Sequence, residues 1–395
     1  MNVNIIHKEV QAYIKLHLND DITKLLLQGK CINNVNSKAL VEQIEAKRKS
    51  KSKLPTWFNT KGIYFPNKVN IEQTSSEITA EYKSELISGN QIIDITGGFG
   101  IDCHYFSKRF SKVIHCEINS ELSQIVAHNS ELLETHNIDT IHTNGIEYLK
   151  FSTDIFDWIY IDPSRRHDEK GKVFFLQDCL PNVPDNLDLL FSKTDQIMIK
   201  TAPLLDISIG LKELKHVESI HIISVKNEVK ELLWILKKRY DDVVNIHAIN
   251  LNQNFKEKNK FTFDLNEEQE SKPTFSKPLS YLYEPNVAIY KAGAFKLVSS
   301  KLRVDKLHSN SHLYTSKQLI TFPGRRFKID KVIRYNKKLI KKESLKKANI
   351  TVRNFPETVQ QIRNKTGIKE GGQNYLFFTT NLTDEKIVVF CSKVD

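Results

Sequence analysis

The sequence predicts an α/β protein: a doubly wound parallel sheet, preceded by a helical region and followed by small α+β domains. Three observations carry this. Residues 92–100, IIDITGGFG, read as a buried strand ending in Asp94, then three glycines in close order, Gly97, Gly98 and Gly100. The chain has only 14 glycines in 395 residues, so the cluster marks a sharp bend or a close approach to a ligand. Residues 112–117, KVIHCE, form a second short apolar strand ending in Glu117, where a doubly wound fold sets the carboxylate that bonds a ribose diol. Residues 157–161, DWIYI, run into Asp162-Pro163, and an acid followed by a rigid Pro at a strand's carboxyl end faces the crevice where open α/β sheets bind ligands.

Taken in order, residues 1–87 show helical spacing of apolar side chains (Ile6, Val10, Ile14; Leu25, Leu26), then a basic stretch at 47–53 and a Pro-Trp-Phe loop. Residues 74–87 have a capping-box spacing from Thr74 to Glu77 and place Ile78, Tyr82 and Leu86 on one face, predicting an amphipathic helix beside the sheet. A helix beginning near Ile101 puts free N–H groups and the positive end of a helix dipole at the glycine turn, a setting for anionic or strongly polar ligand groups. Two cofactor classes use such a turn. The dinucleotide fingerprint needs a third glycine where this chain has Cys103. The other spacing, an acid before the glycines, fits Asp94, Gly97, Gly98 and Gly100; a turn that only lets helix and strand pack is the plain alternative.

Asn119 caps a helix carrying Leu122, Ile125, Val126, Leu132 and Leu133. Strand three, 138–142, leads to Asn144-Gly145, a pair that also simply forms turns. After Asp162-Pro163-Ser164, Arg165 and Arg166 are either phosphate ligands, which guanidinium forks suit, or solvated cations and partners of Asp168 and Glu169. Strand five spans 196–200. Beyond it come an element at 219–225, a helix over 230–239 and an element at 242–251, which close a core of 88–265. Polar residues 266–278 form the linker. A small ferredoxin-like α+β unit follows at 279–330, then a helix over 331–347 with cations around its circumference. The last segment, within 331–395, reads as a strand at 350–353, a helix opening at Pro356, and strands at 375–380 and 387–391.

The segment 94–100 resembles motif I of class I S-adenosylmethionine (SAM) methyltransferases, and DPSRR (162–166) resembles motif IV of nucleic-acid methyltransferases, often written D-P-P-x. Together with EQTSSEITAEYK (72–83), DITGGFGID (94–102), KTAPLLDI (200–207), YLYEPN (281–286) and VRNFPETVQQIRNKTGIKEGGQNYLF (352–377), they resemble bacterial class I methyltransferase-family proteins with a carboxyl-terminal THUMP-like domain. The resemblance spans nearly the whole chain. It implies a Rossmann-like class I methyltransferase core with SAM as cofactor. The residues it assigns to SAM are Asp94, Thr96, Gly97, Gly98, Gly100, Glu117, Ile118, Asn144 near the adenine, and Asp162. Glu77 and Tyr82 join them from a helix that, in trimethylguanosine-synthase-like enzymes, covers the cofactor.

Asp162 and Arg165 are the catalytic candidates, Asp162 orienting or deprotonating an attacking nitrogen or oxygen. Arg165, Arg166, Lys200, Arg325 and Arg326 are the substrate-binding candidates. Ser164-Arg165 stands where exocyclic-amine enzymes carry an aromatic for an extruded base. No Cys stands shortly after strand five, where Thr201-Ala202-Pro203 follows, and Cys179 lies before it, which disfavours covalent pyrimidine chemistry. Direct in-line transfer remains.

Five cysteines with no C-x-x-C pair and no zinc spacing read as reduced cytosolic thiols, and no metal is expected. No leader or membrane span is apparent, so a cytoplasmic protein is expected. The net charge is +11, and its cations gather at 324–328 and 331–347, a pattern that suits phosphate contact or a solvated face. THUMP domains are associated with RNA, so tRNA or rRNA is the acceptor the resemblance implies. The alternatives are a non-catalytic RNA-binding or assembly factor that retains the fold, and a methyltransferase with a protein or small-molecule acceptor.

Overall fold

The computed structural model describes residues 1–165, 175–252 and 258–394. Contacts divide the chain into two compact units, Met1–Glu218 with Leu232–Asp241, and Ser219–Glu231 with Asp242–Asp395.

In the first unit the parallel strands β1 (Gly89–Asp94), β2 (Phe110–Glu117), β3 (Ile138–His142), β4 (Trp158–Ile161) and β5 (Gln196–Thr201) lie in the order β5-β4-β1-β2-β3. Ile92, Ile93, Val113, Ile114, Ile159, Ile161 and 197–199 are almost fully buried. Unbroken apolar runs are what a sheet covered on both faces requires. The strand order reverses between β4 and β1, so the loops leaving those two strands flank the switch point where such sheets hold ligands. Helices α1 (Glu77–Leu86), α2 (Ile101–Phe106), α3 (Ser120–Leu132) and α4 (Gly145–Phe151) surround it. The amino-terminal helices are not separate from this core. Val10, Ile14, Leu40, Ile44, Trp57 and Phe65 share one apolar cluster with Phe99, Ile101, Tyr105, Leu122 and Ile125.

Strand β6 (Val217–Val225) is followed by β7 (Glu228–Lys237). From Leu232 to Lys237, β7 pairs antiparallel with β5. A helix was expected over 230–239. The run Leu232–Leu233–Trp234–Ile235–Leu236 is buried throughout, and a short continuous apolar run has no period that separates a buried strand from a buried helix. Two smaller corrections concern caps. Residues 55–59 are a short helix with Pro55 in its first turn rather than a loop, and α1 starts from Ser76, whose hydroxyl accepts the Thr79 N–H, not from Thr74.

In the second unit, β8 (Asn245–Leu251) runs parallel to β6 and antiparallel to β9 (Lys258–Asp264). A seven-stranded sheet follows: β10 (Tyr281–Pro285), β11 (Asp305–Lys306), β12 (Tyr314–Ser316), β13 (Gly324–Arg334), β14 (Asn349–Arg353), β15 (Asn374–Thr380) and β16 (Lys386–Val394), ordered β11-β12-β10-β13-β16-β15-β14. Alternate residues of β15 face different cores. Phe377 packs with Leu282, Phe327 and Val389, whereas Leu376 and Phe378 pack with Ile340, Ile362 and Val388, the period of two that a strand imposes.

The basic helix expected over 331–347 is mostly not one. β13 continues to Arg334, with Val332 and Ile333 set against Val389 and Val388 of β16, and only Lys337–Lys342 is helical. Cross-strand apolar pairing outweighs the helix preference of the interleaved lysines. The following helix opens at Val359 behind a Thr358–Gln361 capping box, not at Pro356.

Candidate functional site

Asp94 ends β1 almost completely buried. Its Oδ1 accepts from the Thr96 N–H at 2.9 Å and the Thr96 hydroxyl at 3.0 Å, and the Cys103 thiol lies 3.4 Å from Oδ2. Burial pushes its carboxyl up to about 7, and the charge of Asp102 adds to this against the Thr96 bonds. Thr96 Oγ1 also accepts the backbone N–H of Asp162 at 2.7 Å. One hydroxyl thus ties the β1 turn to the end of β4.

The glycines of the turn do separate work. A Cβ on Gly97 would lie 2.6 Å from His115 Nε2 and 2.7 Å from the Cys116 carbonyl oxygen, so the turn presses directly on β2. Gly98 and Gly100 hold φ of +61° and +74°, the left-handed region that glycine enters freely. Gly100 precedes α2 as a cap that contributes no side-chain bond.

Glu117, at the end of β2, is buried. Its Oε2 accepts the Gly98 N–H at 2.8 Å and its Oε1 the Asn119 N–H at 2.7 Å. A carboxylate offers roughly four lone-pair sites, so acceptor capacity for a diol remains. At the end of β4, Asp162 forms an ion pair with Lys200 from β5. Lys200 is only 11% exposed and Asp162 36%. The ends of four neighbouring strands therefore present Lys200, Asp162, the Asp94 turn and Glu117 in spatial sequence along one sheet edge.

Other expected residues lie as follows. Asn144 caps α4, its Oδ1 accepting from Ile146 and Glu147 N–H groups. Ile118 is 70% exposed beside Glu117. Glu77 is buried and engaged within the fold: it accepts from Thr56 N–H and hydroxyl at 2.6 and 2.8 Å and from Tyr105 at 3.1 Å, and burial pushes its carboxyl up. Tyr82 is buried in α1. Arg165 is exposed in a two-residue pairing, Ser164–Arg165 with Cys179–Leu180. Arg166, with Asp168 and Glu169, lies outside the described residues.

In the second unit, Arg325 bonds buried Glu284 through Nε at 2.7 Å and reaches Thr351, while Arg326 reaches the Ile320 carbonyl. The structure joins Arg325 to Arg353, which also binds Glu284, at 2.7 Å.

Three residues not singled out from the sequence sit under the turn. Asp102 and Lys83 form a buried ion pair at 3.0 Å. His115 is fully buried, with Nε2 3.2 Å from the Gly98 carbonyl oxygen, and burial lowers its pKa to about 4. Asp102 and His115 lie within motif segments, yet nothing local marks them as buried and charged or buried and neutral. Among the described residues no group of three metal-ligating side chains occurs, and no helix is long and apolar enough to cross a membrane.

Fold and strand-edge acids define a mixed α/β methyltransferase-like core with amino-terminal helices and a carboxyl-terminal ferredoxin-like and THUMP-like sheet region. Family models agree: residues 281–323 match a ferredoxin-like domain and 324–393 a THUMP domain-like model. A crystal structure described as a "putative methyltransferase" from Porphyromonas gingivalis W83 is 31% identical over 100% of both chains, with a TM-score of 0.90. This chain belongs to the family of that protein. An uncharacterized RNA methyltransferase of Mycoplasma mobile is 25% identical over 170 residues, 39% of this chain. The match takes in 46% of that relative's length.

Proposed function

We propose that this chain is a SAM-dependent methyltransferase that acts on RNA, tRNA or rRNA, by direct transfer without a covalent Cys intermediate. The observation that carries the reading is the convergence at one sheet edge of the Asp94 glycine turn, Glu117 and the Asp162–Lys200 pair. SAM supplies a methyl group already activated on a sulfonium. Glu117, with acceptor capacity beyond its two backbone bonds, is the proposed ribose ligand. Thr96, Gly97, Gly98 and Gly100 shape the turn, while Ile118 offers an apolar side chain beside the diol. Asp162 is the proposed acceptor of a hydrogen bond from an attacking N–H or O–H, holding its lone pair in line.

The thiols near the turn speak against a nucleophilic Cys. Cys103 and Cys116 are buried, and burial raises both, Cys116 to about 12. A thiol held protonated is a poor nucleophile.

RNA as acceptor is supported by the THUMP domain-like match and by exposed lysines, Lys337, Lys338, Lys341 and Lys342 among them. Arg325 and Arg326, each already bonded within the fold, are weaker phosphate ligands than the sequence suggests.

The test has two arms. SAM titrated into the full chain is expected to bind, with Asp94→Ala and Glu117→Ala each weakening it about tenfold or more; no binding, or indifference to both changes, ends the SAM reading. Methyl-labelled SAM with total cellular RNA is expected to label an RNA fraction. Binding without label in RNA points instead to a non-catalytic RNA-binding factor, and label in protein or small molecules to another acceptor.

A further inference from the structure

Asp102 is a buried charged group with partners on three other segments, and the proposed reaction does not use it. It sits in the first turn of α2, directly after the glycine bend. Its Oδ2 accepts from the Ser75 hydroxyl at 2.8 Å and the Tyr160 hydroxyl at 2.9 Å. Lys83, 0% exposed on α1, lies 3.0 Å from Oδ1 and donates to Ser75 at 2.8 Å. Burial pushes the Asp102 carboxyl up, but the charges of Lys83 and Lys200 together with the Ser75 and Lys83 bonds outweigh it and hold it below the ordinary range.

Two further facts place this cluster. Tyr160, on β4, lies two residues before Asp162 and pairs with Asp94 of β1. Lys200, whose charge acts on Asp102, is also the ion-pair partner of Asp162. An isolated buried ion pair adds little to stability, and apolar residues of similar volume often serve a fold as well. Directional bonds differ from apolar packing in fixing register.

We propose that Asp102 is a positioning residue: braced by Lys83 and Ser75, it locks the first turn of α2 to Tyr160 and so holds the glycine turn and the Asp162–Lys200 pair in one fixed relation. The inference rests on the reading of this edge as a SAM site. Asp102, bonded to Ser75, Tyr160 and Lys83, acts in this proposal through the glycine turn and the Asp162–Lys200 pair and not through a ligand contact of its own.

The experiment measures S-adenosylhomocysteine binding by calorimetry and thermal unfolding side by side, using the full chain. The double variant Lys83→Met/Asp102→Leu is expected to melt within a few degrees of wild type while binding about tenfold more weakly. Lys83→Arg, which keeps the pair, is expected to bind like wild type. Tyr160→Phe deletes a single hydroxyl and is expected to weaken binding several-fold with its melting temperature little changed. This keeps the test open should the double variant fail to fold. Wild-type affinity in the double variant or in Tyr160→Phe overturns the positioning role. So does an affinity loss that merely follows melting temperature across the series. A wild-type chain that binds no S-adenosylhomocysteine is a distinct result and removes the SAM reading itself.

Discussion

Asp94 illustrates how burial sets the charge state of a single group. Its folded value of about 7 stands above the ordinary 3.8, so the folded chain holds this proton more tightly than the unfolded chain. The resulting stabilisation is complete below about pH 4 and is lost as pH rises through about 7. Asp94→Asn is therefore expected to flatten the decline in stability between those limits, read as urea midpoints at several pH values; a variant curve parallel to wild type excludes the shift. Asp102 contributes with the opposite sign, but the difference between variant and wild type isolates Asp94. Asp94, Glu117 and Asp162 were legible in the sequence because each closes an apolar strand before a turn. Lys83 and Asp102 were not. A lysine or aspartate in a helical stretch reads as solvated, and only three-dimensional proximity of Ser75, Tyr160 and the two charges shows otherwise.

At the level of elements, the glycine turn separates two kinds of constraint. Gly97→Ala drives a Cβ against His115 and the β2 backbone at 2.6 and 2.7 Å, and is expected to cost about 1–3 kcal/mol of overpacking. Gly98→Ala meets nothing nearer than 3.8 Å and should cost only its left-handed φ, about 1–2 kcal/mol. Urea midpoints that rank the two the other way would show that β2 yields. β1, β2 and β4 were readable for the same reason that the turn was: each is a buried apolar run that ends at an acid. Residues 232–237 and 331–334 are strands and not the expected helix because their state is set by distant partners, β5 for the first and β16 for the second, while Lys337–Lys342 is helical. No local pattern encodes such pairing.

Across the molecule, the ferredoxin-like and THUMP-like segments are joined rather than strung together. β10 belongs to the first and β13 to the second, yet they pair from Tyr281 with Lys328 to Pro285 with Gly324. Buried Glu284 binds Arg325 and Arg353 across that seam. Its two partners are 41% and 36% exposed and can recover water, so Glu284→Ala is expected to cost about 1–3 kcal/mol, below the usual loss for a fully buried pair. The check is faster amide exchange in both β10 and β13; an effect confined to one strand would argue that the segments are independent. The place of β16 in this sheet also orders events during synthesis. It lies between β13 and β15, so every earlier strand of the sheet leaves the ribosome before the one that unites them. At about 5–20 residues per second, the stretch from the end of β13 at Arg334 to the end of β16 at Val394 takes about 3–12 s, and through that interval β13 shows a bare edge to which a chaperone, or a neighbouring copy on the same message, can bind.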